Sequence, residues 1–345
     1  MGIVGTGFGQ QVLLPAFQAN PYCEVHGIAA STRENAETVA QKYHIRAYDS
    51  WEAAASDPET TVLAIAVPPH QQAQIAIRAL QNGKAVFCEK PLGVSTQDAQ
   101  HILTAARQHN CIGMVDFEFP VIDVWMQTKS ILDSGEIGSL RHIAVNWNVE
   151  TYANKHHLDS WKTQAESGGG ALNMFVCHVF YYLEWFAGEI TTLSTQLHRS
   201  PVDNRSADTT AVLTVEFASG VIASISVSTD AFMGSGHRVE LYGDNGTLIL
   251  ENTTADYTSG FQLYYATRQS AEFAVIPTQY IRSAQDGRIG VISEMVNRFI
   301  SWLRDGIPAR PSLEDGLRVQ YLMDTARISH MEQRRVDVSF SADDN

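Results

Sequence analysis

The first third of the chain alternates between two hydrophobic patterns. Short continuous apolar runs are expected for strands buried on both faces, and apolar residues that recur every three or four positions are expected for helices. The runs are Gly2–Val4, Glu24–Ala30, Thr60–Val67, Ala85–Cys88 and Ile112–Val115. The helical segments are Val12–Phe17, Arg33–Tyr43, Gln71–Gln81 and Ser95–His109. Strands that alternate with helices over short links predict an α/β domain with a parallel, doubly wound sheet over residues 1–116.

The pattern changes after Asp116. Longer segments of alternating polar and apolar residues follow, joined by turn sequences, and they predict a mostly antiparallel sheet. The predicted strands are Leu140–Val149, Thr191–His198, Thr209–Phe217, Val221–Ser228, Arg238–Tyr242 and Thr247–Leu250. The predicted helices are Ile122–Ser134, Gly170–Phe186, Val291–Arg304 and Ser312–Gln333. We therefore expect a second, α+β domain over residues 117–345 with a large open sheet, whose last helices are candidates to pack back on the first domain.

Composition and charge narrow the possible functions. The 345 residues favour two domains, and 38 acidic against 24 basic residues give a net charge of −14, which argues against a nucleic-acid or membrane surface. The four cysteines are scattered without a C-x-x-C pair, which fits a reducing cytoplasm better than a disulfide framework or structural zinc. The first strand begins almost at Met1, so we expect the native start to lie upstream.

A glycine-rich turn between the first strand and the first helix is the clearest candidate binding site. Such a turn points backbone N–H groups and a helix N-terminus at one place, which suits a pyrophosphate. Gly5 permits the turn, and Gly7 lets the backbone approach a phosphate closely. The third position of the G-x-G-x-x-G pattern is Gln10, and we expect Gly9 to relieve the crowding there. An ordinary strand-to-helix turn is the alternative. The candidate cofactor-binding residues are Gly5, Thr6, Gly7, Phe8, Gly9 and Gln10.

The end of the second strand carries information on the cofactor. An NAD enzyme usually has Asp or Glu there to bind the ribose hydroxyls, whereas this chain has Ala30 followed by Ser31, Thr32 and Arg33. Two hydroxyls and a guanidinium suit a 2′-phosphate, so we predict NADP(H) in preference to NAD(H). The alternatives are that Ser31 only caps the next helix with Arg33 solvated, or that Glu34 turns toward a ribose.

Four segments give the chain a family resemblance. They are GIVGTGFG at residues 2–9, AVPPH at 66–70, AVFCEKPLG at 85–93 and SGGGALNMFVCH at 167–178. Together they resemble the glucose–fructose oxidoreductase / inositol dehydrogenase / MocA family over nearly the whole chain. The resemblance implies a Rossmann domain, a C-terminal domain with a large, mostly antiparallel sheet, and a nicotinamide cofactor. It also implies a small sugar, cyclitol or related carbonyl substrate, and a homodimer or homotetramer that forms through the sheet.

Lys90 is the first candidate catalytic residue. It follows a parallel strand, where open α/β sheets place their ligand crevice, in the tripeptide Glu89-Lys90-Pro91. A lysine there can hydrogen-bond a substrate hydroxyl and the nicotinamide ribose, and its charge favours a developing alkoxide. Glu89 can orient it, and the family resemblance implies a cis bond before Pro91. A solvated loop lysine is the alternative. Pro68, which also follows a strand, would form a rigid wall on the nicotinamide side.

His178 is the second candidate catalytic residue. Imidazole titrates near neutral pH and can relay a proton to or from a carbinol oxygen. In the resembling family an Asp precedes this histidine by four residues on the same helix face, but here that position is Met174. The adjacent Asn173 is a candidate substrate contact. The alternative is a satisfied core histidine on an apolar helix.

The loop before the glycine run supplies the remaining candidate substrate contacts. Tyr152 and Trp161 can stack on a ring, and Lys162 can hold an anionic group. We predict no metal, because the adjacent His156 and His157 do not share a site easily. Two further positions depart from the family pattern: Gln72 stands where members often have His, and Asp116-Phe117-Glu118 replaces a stretch that is often basic and aromatic.

Three functions compete on these observations. The preferred one is an NAD(P)-dependent oxidoreductase of a small hydroxy or carbonyl compound. Because Met174 removes a carboxylate, a cofactor-binding sensor or regulatory protein without turnover is the second. A reductase of a flat unsaturated or aromatic substrate, using Trp161 and Phe175, is the third.

Overall fold

The computed structural model describes residues 1–199, 205–270, 272–277 and 286–340. The chain divides into two compact units. The first unit comprises Met1–Glu118 with the described part of Ser283–Gln320, and the second unit comprises the described parts of Phe119–Arg282 and Tyr321–Asn345. In the described residues, no helix has the length and apolar character that a membrane crossing needs.

The first unit is a doubly wound parallel sheet. Its strands are β1 (Gly2–Val4), β2 (Gly27–Ala29), β3 (Arg46–Ala47), β4 (Val62–Ile65), β5 (Ala85–Cys88) and β6 (Gly113–Val115). Its helices are α1 (Leu14–Ala19), α2 (Arg33–Tyr43), α3 (Trp51–Ser56), α4 (Pro69–Gln81), α5 (Thr96–His109) and α9 (Gly287–Asp305). The strand order β3-β2-β1-β4-β5-β6 reverses between β1 and β4, and every pair is parallel. The predicted fold class of this region is confirmed.

Local signals explain the accuracy of the helix predictions here. The side chain of Ser95 accepts a hydrogen bond from the backbone N–H of Asp98 and so caps α5, as its sequence predicts. Asn110, in the left-handed conformation, ends the same helix. The sequence pattern missed β3 and α3, because a two-residue strand and a six-residue helix are too short to show a period.

The second unit is built on a nine-stranded sheet. The strands are β7 (Leu140–Asn148), β8 (Ile190–His198), β9 (Thr210–Phe217), β10 (Ile222–Ser228), β11 (Gly236–Gly243), β12 (Gly246–Asn252), β13 (Gln262–Thr267), β14 (Ala274–Ile276) and β15 (Val336–Asp337). Their order is β14-β13-β12-β11-β7-β10-β9-β8-β15. All pairs are antiparallel except β7 with β10, so the predicted mostly antiparallel sheet is confirmed.

Three helices of the second unit lie between residues 119 and 187, namely α6 (Asp123–Asp133), α7 (Tyr152–Lys155) and α8 (Cys177–Ala187). The last helix, α10 (Leu313–Glu332), begins in the first unit and ends in the second. The predicted single helix over residues 170–186 is wrong in one respect. Leu172–Val176 forms a π-helical turn, and the α-helix begins only at Cys177. A second π turn, Gly9–Leu13, precedes α1 in the first unit. Such one-turn expansions are frequent at functional sites.

Candidate active site

The glycine loop after β1 has three glycines with different roles. Gly5 has a φ of +113°, and a Cβ there would lie 2.0 Å from the carbonyl oxygen of Ala66, so only glycine fits. A Cβ on Gly9 would lie 3.2 Å from Ile3 Cγ2, which shows close packing of the following turn on β1. Gly9 rather than Gln10 therefore fills the packing role of the third glycine in the motif.

Gly7 differs from both neighbours. A Cβ on Gly7 would meet nothing within 4 Å, and the residue is exposed. Packing within the protein therefore does not require a glycine at this position. A glycine beside a helix N-terminus does allow a phosphate to approach the backbone closely. The loop, with Thr6 and Phe8 partly exposed beside Gly7, therefore fits the pyrophosphate of a dinucleotide.

Arg288 is a residue near this loop that sequence reasoning missed. Its guanidinium lies 5.7 Å from the centre of the Phe8 ring, and its Nε also bonds Asp286 Oδ1 at 2.9 Å. No local motif marks it, because it lies about 280 positions from Phe8 along the chain and only the fold brings the two together.

The segment after β2 is exposed and starts α2. Thr32, not Ser31, caps the helix, since its hydroxyl accepts a hydrogen bond from the backbone N–H of Asn35 at 3.2 Å. Ser31 is exposed. Arg33 is not simply solvated: its Nε donates to Glu37 at 2.7 Å, and its guanidinium also pairs with Asp49.

Lys90 follows β5 in a turn that the fold holds at several points. The Lys90–Pro91 peptide bond is cis, as the resemblance implies. Gln72, which is 1% exposed on α4, donates through Nε2 to the carbonyl oxygens of Glu89 at 2.5 Å and Pro91 at 2.8 Å. The backbone on both sides of Lys90 is thus fixed by one buried amide. Pro68 precedes α4 as its N-terminal flanking residue.

The charge of Lys90 acts on three carboxyl groups of the first unit, those of Glu89, Asp116 and Glu118. Burial raises the pKa of Asp116 well above its ordinary value, and the negative charges of Glu89 and Glu118 reinforce this. Burial also raises the pKa of Glu89 and brings that of Glu118 to about 7, although the charge of Lys90 opposes both shifts. The sequence showed Asp116 and Glu118 as a departure from the family pattern but gave no sign that they interact electrostatically with Lys90.

His178 lies in the first turn of α8 and is 4% exposed. The ring of Phe119 meets it edge-on at 5.2 Å, and the ring of Trp147 lies 6.1 Å away. Trp147 also meets Phe175 at 4.6 Å, so aromatic rings pack on this side of the helix.

Close packing explains the glycine run before this helix. A Cβ on Gly169 would lie 2.4 Å from the carbonyl oxygen of Lys162, and one on Gly170 would lie 2.4 Å from Asp208 Oδ1. Asp208 accepts hydrogen bonds at Oδ2 from Leu172 N–H and at its carbonyl oxygen from Ala171 N–H, both at 2.9 Å. This carboxylate, which sequence reasoning missed, lies at the start of the π turn. Its negative charge interacts favourably with the positive end of the helix dipole.

Asn173 is anchored rather than free to rotate. Its Nδ2 donates to the carbonyl oxygen of Gly169 at 3.2 Å, and its Oδ1 accepts from the guanidinium of Arg327. Arg327 in turn pairs with Asp324 on the same helix, α10. Met174, beside Asn173, is partly exposed.

The other candidate substrate residues lie on the surface of the second unit. Tyr152 is 72% exposed, and its ring lies 4.3 Å from that of His156. Lys162 is exposed, with its ammonium 5.8 Å from the centre of the Trp161 ring. A planar ring beside a cation suits a polyhydroxylated or anionic ligand.

One group of possible metal ligands occurs in the described residues, and none of its members is a candidate site residue. The ligand atoms of His26, Asp57 and Glu59 lie within 4.8 Å of one another. Arg46 approaches the two carboxylates at 3.5 and 3.9 Å, so a cation already compensates them. The adjacent His156 and His157 are both exposed.

The glycine loop and the doubly wound sheet are those of a dinucleotide-binding domain. Two family models match this chain: "Oxidoreductase family, NAD-binding Rossmann fold" over residues 1–117 and "GFO/IDH/MocA C-terminal domain" over residues 125–249. The chain belongs to the Gfo/Idh/MocA family of oxidoreductases.

Similar proteins include named dehydrogenases. An uncharacterised oxidoreductase of Synechocystis sp. is 30% identical over 354 residues, which cover 98% of this chain and 95% of the relative. The levoglucosan dehydrogenase of Pseudarthrobacter phenanthrenivorans is 24% identical over 383 residues, covering 98% and 97%. The trans-1,2-dihydrobenzene-1,2-diol dehydrogenase of Xenopus tropicalis is 30% identical over 185 residues, covering 52% and 54%.

Solved structures share the fold over almost the whole chain. A levoglucosan dehydrogenase in complex with NADH and levoglucosan has a TM-score of 0.88 at 22% identity, with 98% of each chain covered. An NAD binding oxidoreductase from Klebsiella pneumoniae has a TM-score of 0.85 at 24% identity, with 99% of each chain covered.

Proposed function

We propose that this oxidoreductase acts on a secondary alcohol or carbonyl carbon of a sugar, cyclitol or related polyol. The observation that carries the proposal is the turn of Lys90, fixed by Gln72 at the carboxyl end of a parallel strand, where α/β sheets bind their ligands. The levoglucosan dehydrogenase among the relatives supports a sugar-like substrate.

The proposed roles follow from the chemistry of each side chain. Lys90 hydrogen-bonds the reacting oxygen, and its charge stabilises an alkoxide. His178 transfers the proton directly or through a water molecule. Trp161 stacks on the substrate ring, while Tyr152, Lys162 and Asn173 contact its polar groups. A nicotinamide cofactor, when bound, supplies hydride transfer. Pro68 and Glu89 line the position that the nicotinamide ring would occupy.

A substrate panel tests this proposal. Sugars, anhydrosugars, cyclitols, polyols, aldehydes and dihydrodiols are offered to the purified protein with NADP⁺ and NAD⁺, and in the reverse direction with the reduced cofactors. Lys90→Met and His178→Gln should each lower turnover by about a hundredfold or more. Lys42→Ala and His109→Ala, at exposed positions, are the matched controls. Loss of less than twofold in both test variants would refute these roles.

We propose NADP(H) as the preferred cofactor. Residues 30–33 hold no carboxylate that would repel a 2′-phosphate, and Ser31, Thr32 and Arg33 lie exposed at the start of α2. Arg33 must exchange its contacts with Glu37 and Asp49 for the phosphate. Arg33→Ala should therefore weaken NADP⁺ binding by about tenfold and leave NAD⁺ binding unchanged. Arg46→Ala is the control, and equal effects on both cofactors would contradict the assignment.

A flat substrate is the second candidate. Its support is the partial similarity to dihydrodiol dehydrogenases and the aromatic packing of Trp147 and Phe175 near His178. Faster turnover of dihydrodiols than of any sugar or polyol in the panel would favour it. Binding of NADPH without turnover of any compound would favour the sensor alternative, which Met174 motivates.

We propose further that the protein is a homodimer or homotetramer that assembles through the nine-stranded sheet. Val212 and Ile222, on the neighbouring strands β9 and β10, are 48% and 51% exposed. Apolar side chains on an outer sheet face suit an interface between copies. Light scattering on Val212→Glu/Ile222→Glu should show a smaller particle than the parent protein.

A further inference from the structure

Two helices of the first unit lie side by side and run in the same direction. α9 packs against α1 and against the π turn Gly9–Leu13 that precedes it. At the start of α9, the guanidinium of Arg288 lies 5.7 Å from the centre of the Phe8 ring. Further along α9, Asn297 Oδ1 accepts a hydrogen bond at 2.8 Å from Nδ2 of Asn20, which follows the last residue of α1. The N-terminus of α9 therefore lies at the same end of the unit as the glycine loop.

This arrangement brings positive charge to the place where the loop is open. Gly7, next to Phe8, is exposed, and a Cβ there would meet no protein atom within 4 Å. The guanidinium of Arg288 and the positive end of the α9 dipole lie near this open position. Both favour a phosphate group, because its oxygens accept hydrogen bonds and carry negative charge.

Asp286 is the partner of Arg288 in this structure. Its Oδ1 accepts hydrogen bonds from the backbone N–H of Arg288 at 3.1 Å and from the side-chain Nε at 2.9 Å. Asp286 is exposed, so water screens the ion pair, and exposed pairs contribute little to stability. The backbone hydrogen bond caps α9 independently of the guanidinium. The side chain of Arg288 can therefore change its partner while the start of the helix stays intact.

We propose that Arg288 binds the pyrophosphate of the dinucleotide together with the backbone of the glycine loop, and that it exchanges Asp286 for phosphate oxygens when the cofactor binds. A guanidinium can offer two parallel N–H groups to a phosphate, and such a charge-assisted pair is stronger than an exposed ion pair. This role rests on the proposed cofactor site at the glycine loop and does not depend on the substrate. Since NAD(H) and NADP(H) share the pyrophosphate, Arg288 contributes equally to both, unlike Arg33.

Binding measurements test this role without catalysis. In fluorescence titrations, Arg288→Gln should bind both NADPH and NADH about tenfold more weakly, and Arg288→Lys should recover part of the loss. Asp286→Asn keeps a capping oxygen but removes the charge that competes for Arg288, so both cofactors should bind about two- to threefold more tightly. Arg298→Gln is the matched control, because Arg298 lies on the same helix and pairs with Glu294 at 3.2 Å. The control should leave both affinities unchanged.

Competition with ADP-ribose identifies the part of the cofactor that Arg288 contacts, because this probe carries the pyrophosphate without the nicotinamide. Its affinity should fall by the same factor in Arg288→Gln. Unchanged affinity for both cofactors, a loss for NADPH alone, or a loss that spares ADP-ribose would each overturn the proposal. Binding by Asp286→Asn that is no tighter than that of the parent would contradict the exchange of partners. Thermal melting without cofactor checks that each variant folds.

Failure of the other proposed roles gives different results. If the substrate assignment is wrong, Lys90→Met keeps its turnover while Arg288→Gln still binds both cofactors weakly. If Arg33 does not contact a 2′-phosphate, Arg33→Ala leaves NADP⁺ binding unchanged, and the effect of Arg288→Gln on both cofactors remains. Only the loss of that common effect removes Arg288 from the pyrophosphate site.

Discussion

The side-chain amide of Gln72 donates a hydrogen bond to the carbonyl oxygen of Pro91 at 2.8 Å, and the same Nε2 donates to Glu89 at 2.5 Å. One buried group of α4 therefore holds the residues on both sides of Lys90. A lysine whose backbone is fixed in this way loses little freedom when it binds a substrate oxygen.

Gln72→Ala should lower both stability and turnover. Two carbonyl oxygens lose their donor, which we expect to cost about 1–3 kcal/mol in the free energy of unfolding. Because Lys90 then samples other positions, turnover should fall by about tenfold. Gln72→His keeps one ring donor and should recover part of the loss. Gln74→Ala, exposed on the same helix, is the control in urea unfolding and steady-state assays. Normal turnover in a destabilised Gln72→Ala protein would limit Gln72 to a structural role.

Substitutions at two glycines of the loop should affect cofactor binding and folding separately. Gly7→Ala places its methyl group where the protein has no atom within 4 Å, so the free energy of unfolding should change by less than about 0.5 kcal/mol. Affinity for the dinucleotide should fall by about tenfold, because the methyl group meets the phosphate.

Gly5→Ala is the matched comparison. Its Cβ would lie 2.0 Å from the Ala66 carbonyl oxygen at a φ of +113°, so stability should fall by about 3 kcal/mol. Urea unfolding and titration of NADPH fluorescence measure both quantities. Unchanged cofactor affinity in Gly7→Ala would exclude this loop as the phosphate site.

The sequence was sufficient for most of the fold because its signals are local. Continuous apolar runs marked β4 and β5, and the capping residue Ser95 marked the start of α5. The parallel pairing of β7 with β10 was not predictable, since it depends on which distant strands meet. The π turns at Gly9–Leu13 and Leu172–Val176 have no sequence signature either, because one extra residue per turn leaves the apolar spacing nearly unchanged.

The residues of the candidate site were likewise only partly predictable from the sequence. Glycines and the Glu89-Lys90-Pro91 tripeptide could be found from the sequence, since their chemistry follows from residue type and place at a strand end. Gln72 and Asp116 differed from the family pattern, but their contacts with the Lys90 turn depend on neighbouring elements. Asp208 and Arg288 gave no signal, because their partners lie far away along the chain.

Asp208 fixes the start of the helix that carries His178, and its removal should show in stability. Asp208→Ala takes away the acceptor for Leu172 N–H at 2.9 Å, so the free energy of unfolding should fall by about 1–2 kcal/mol. Asp208→Asn keeps an acceptor oxygen and should cost less. Asp230→Ala, at an exposed position, should have no effect in the same urea titration. Equal losses for Asp208→Ala and Asp208→Asn would show that the charge matters more than the hydrogen bond.

His237 should make the protein acid-sensitive. Its ring is 3% exposed, stacks on Trp147 at 4.0 Å and contacts the Tyr182 hydroxyl through Nε2 at 3.1 Å. Burial lowers the pKa of His237 to about 3. In the unfolded chain this histidine becomes protonated below about pH 6.5, whereas in the folded protein it stays neutral until about pH 3. The contribution of neutral His237 to the free energy of unfolding is therefore complete above about pH 6.5 and is lost as the pH falls toward about 3.

His237→Phe tests this linkage, because phenylalanine keeps the ring packing without titrating. The parent protein should lose up to about 1.4 kcal/mol per pH unit from this group below pH 6.5, and the variant should show a slope smaller by that amount. Urea unfolding at several pH values measures the slope, with the exposed His156→Phe as control. If His237→Phe and the parent lose stability in parallel down to about pH 4, the folded protein protonates His237 without cost and its burial does not set the acid limit.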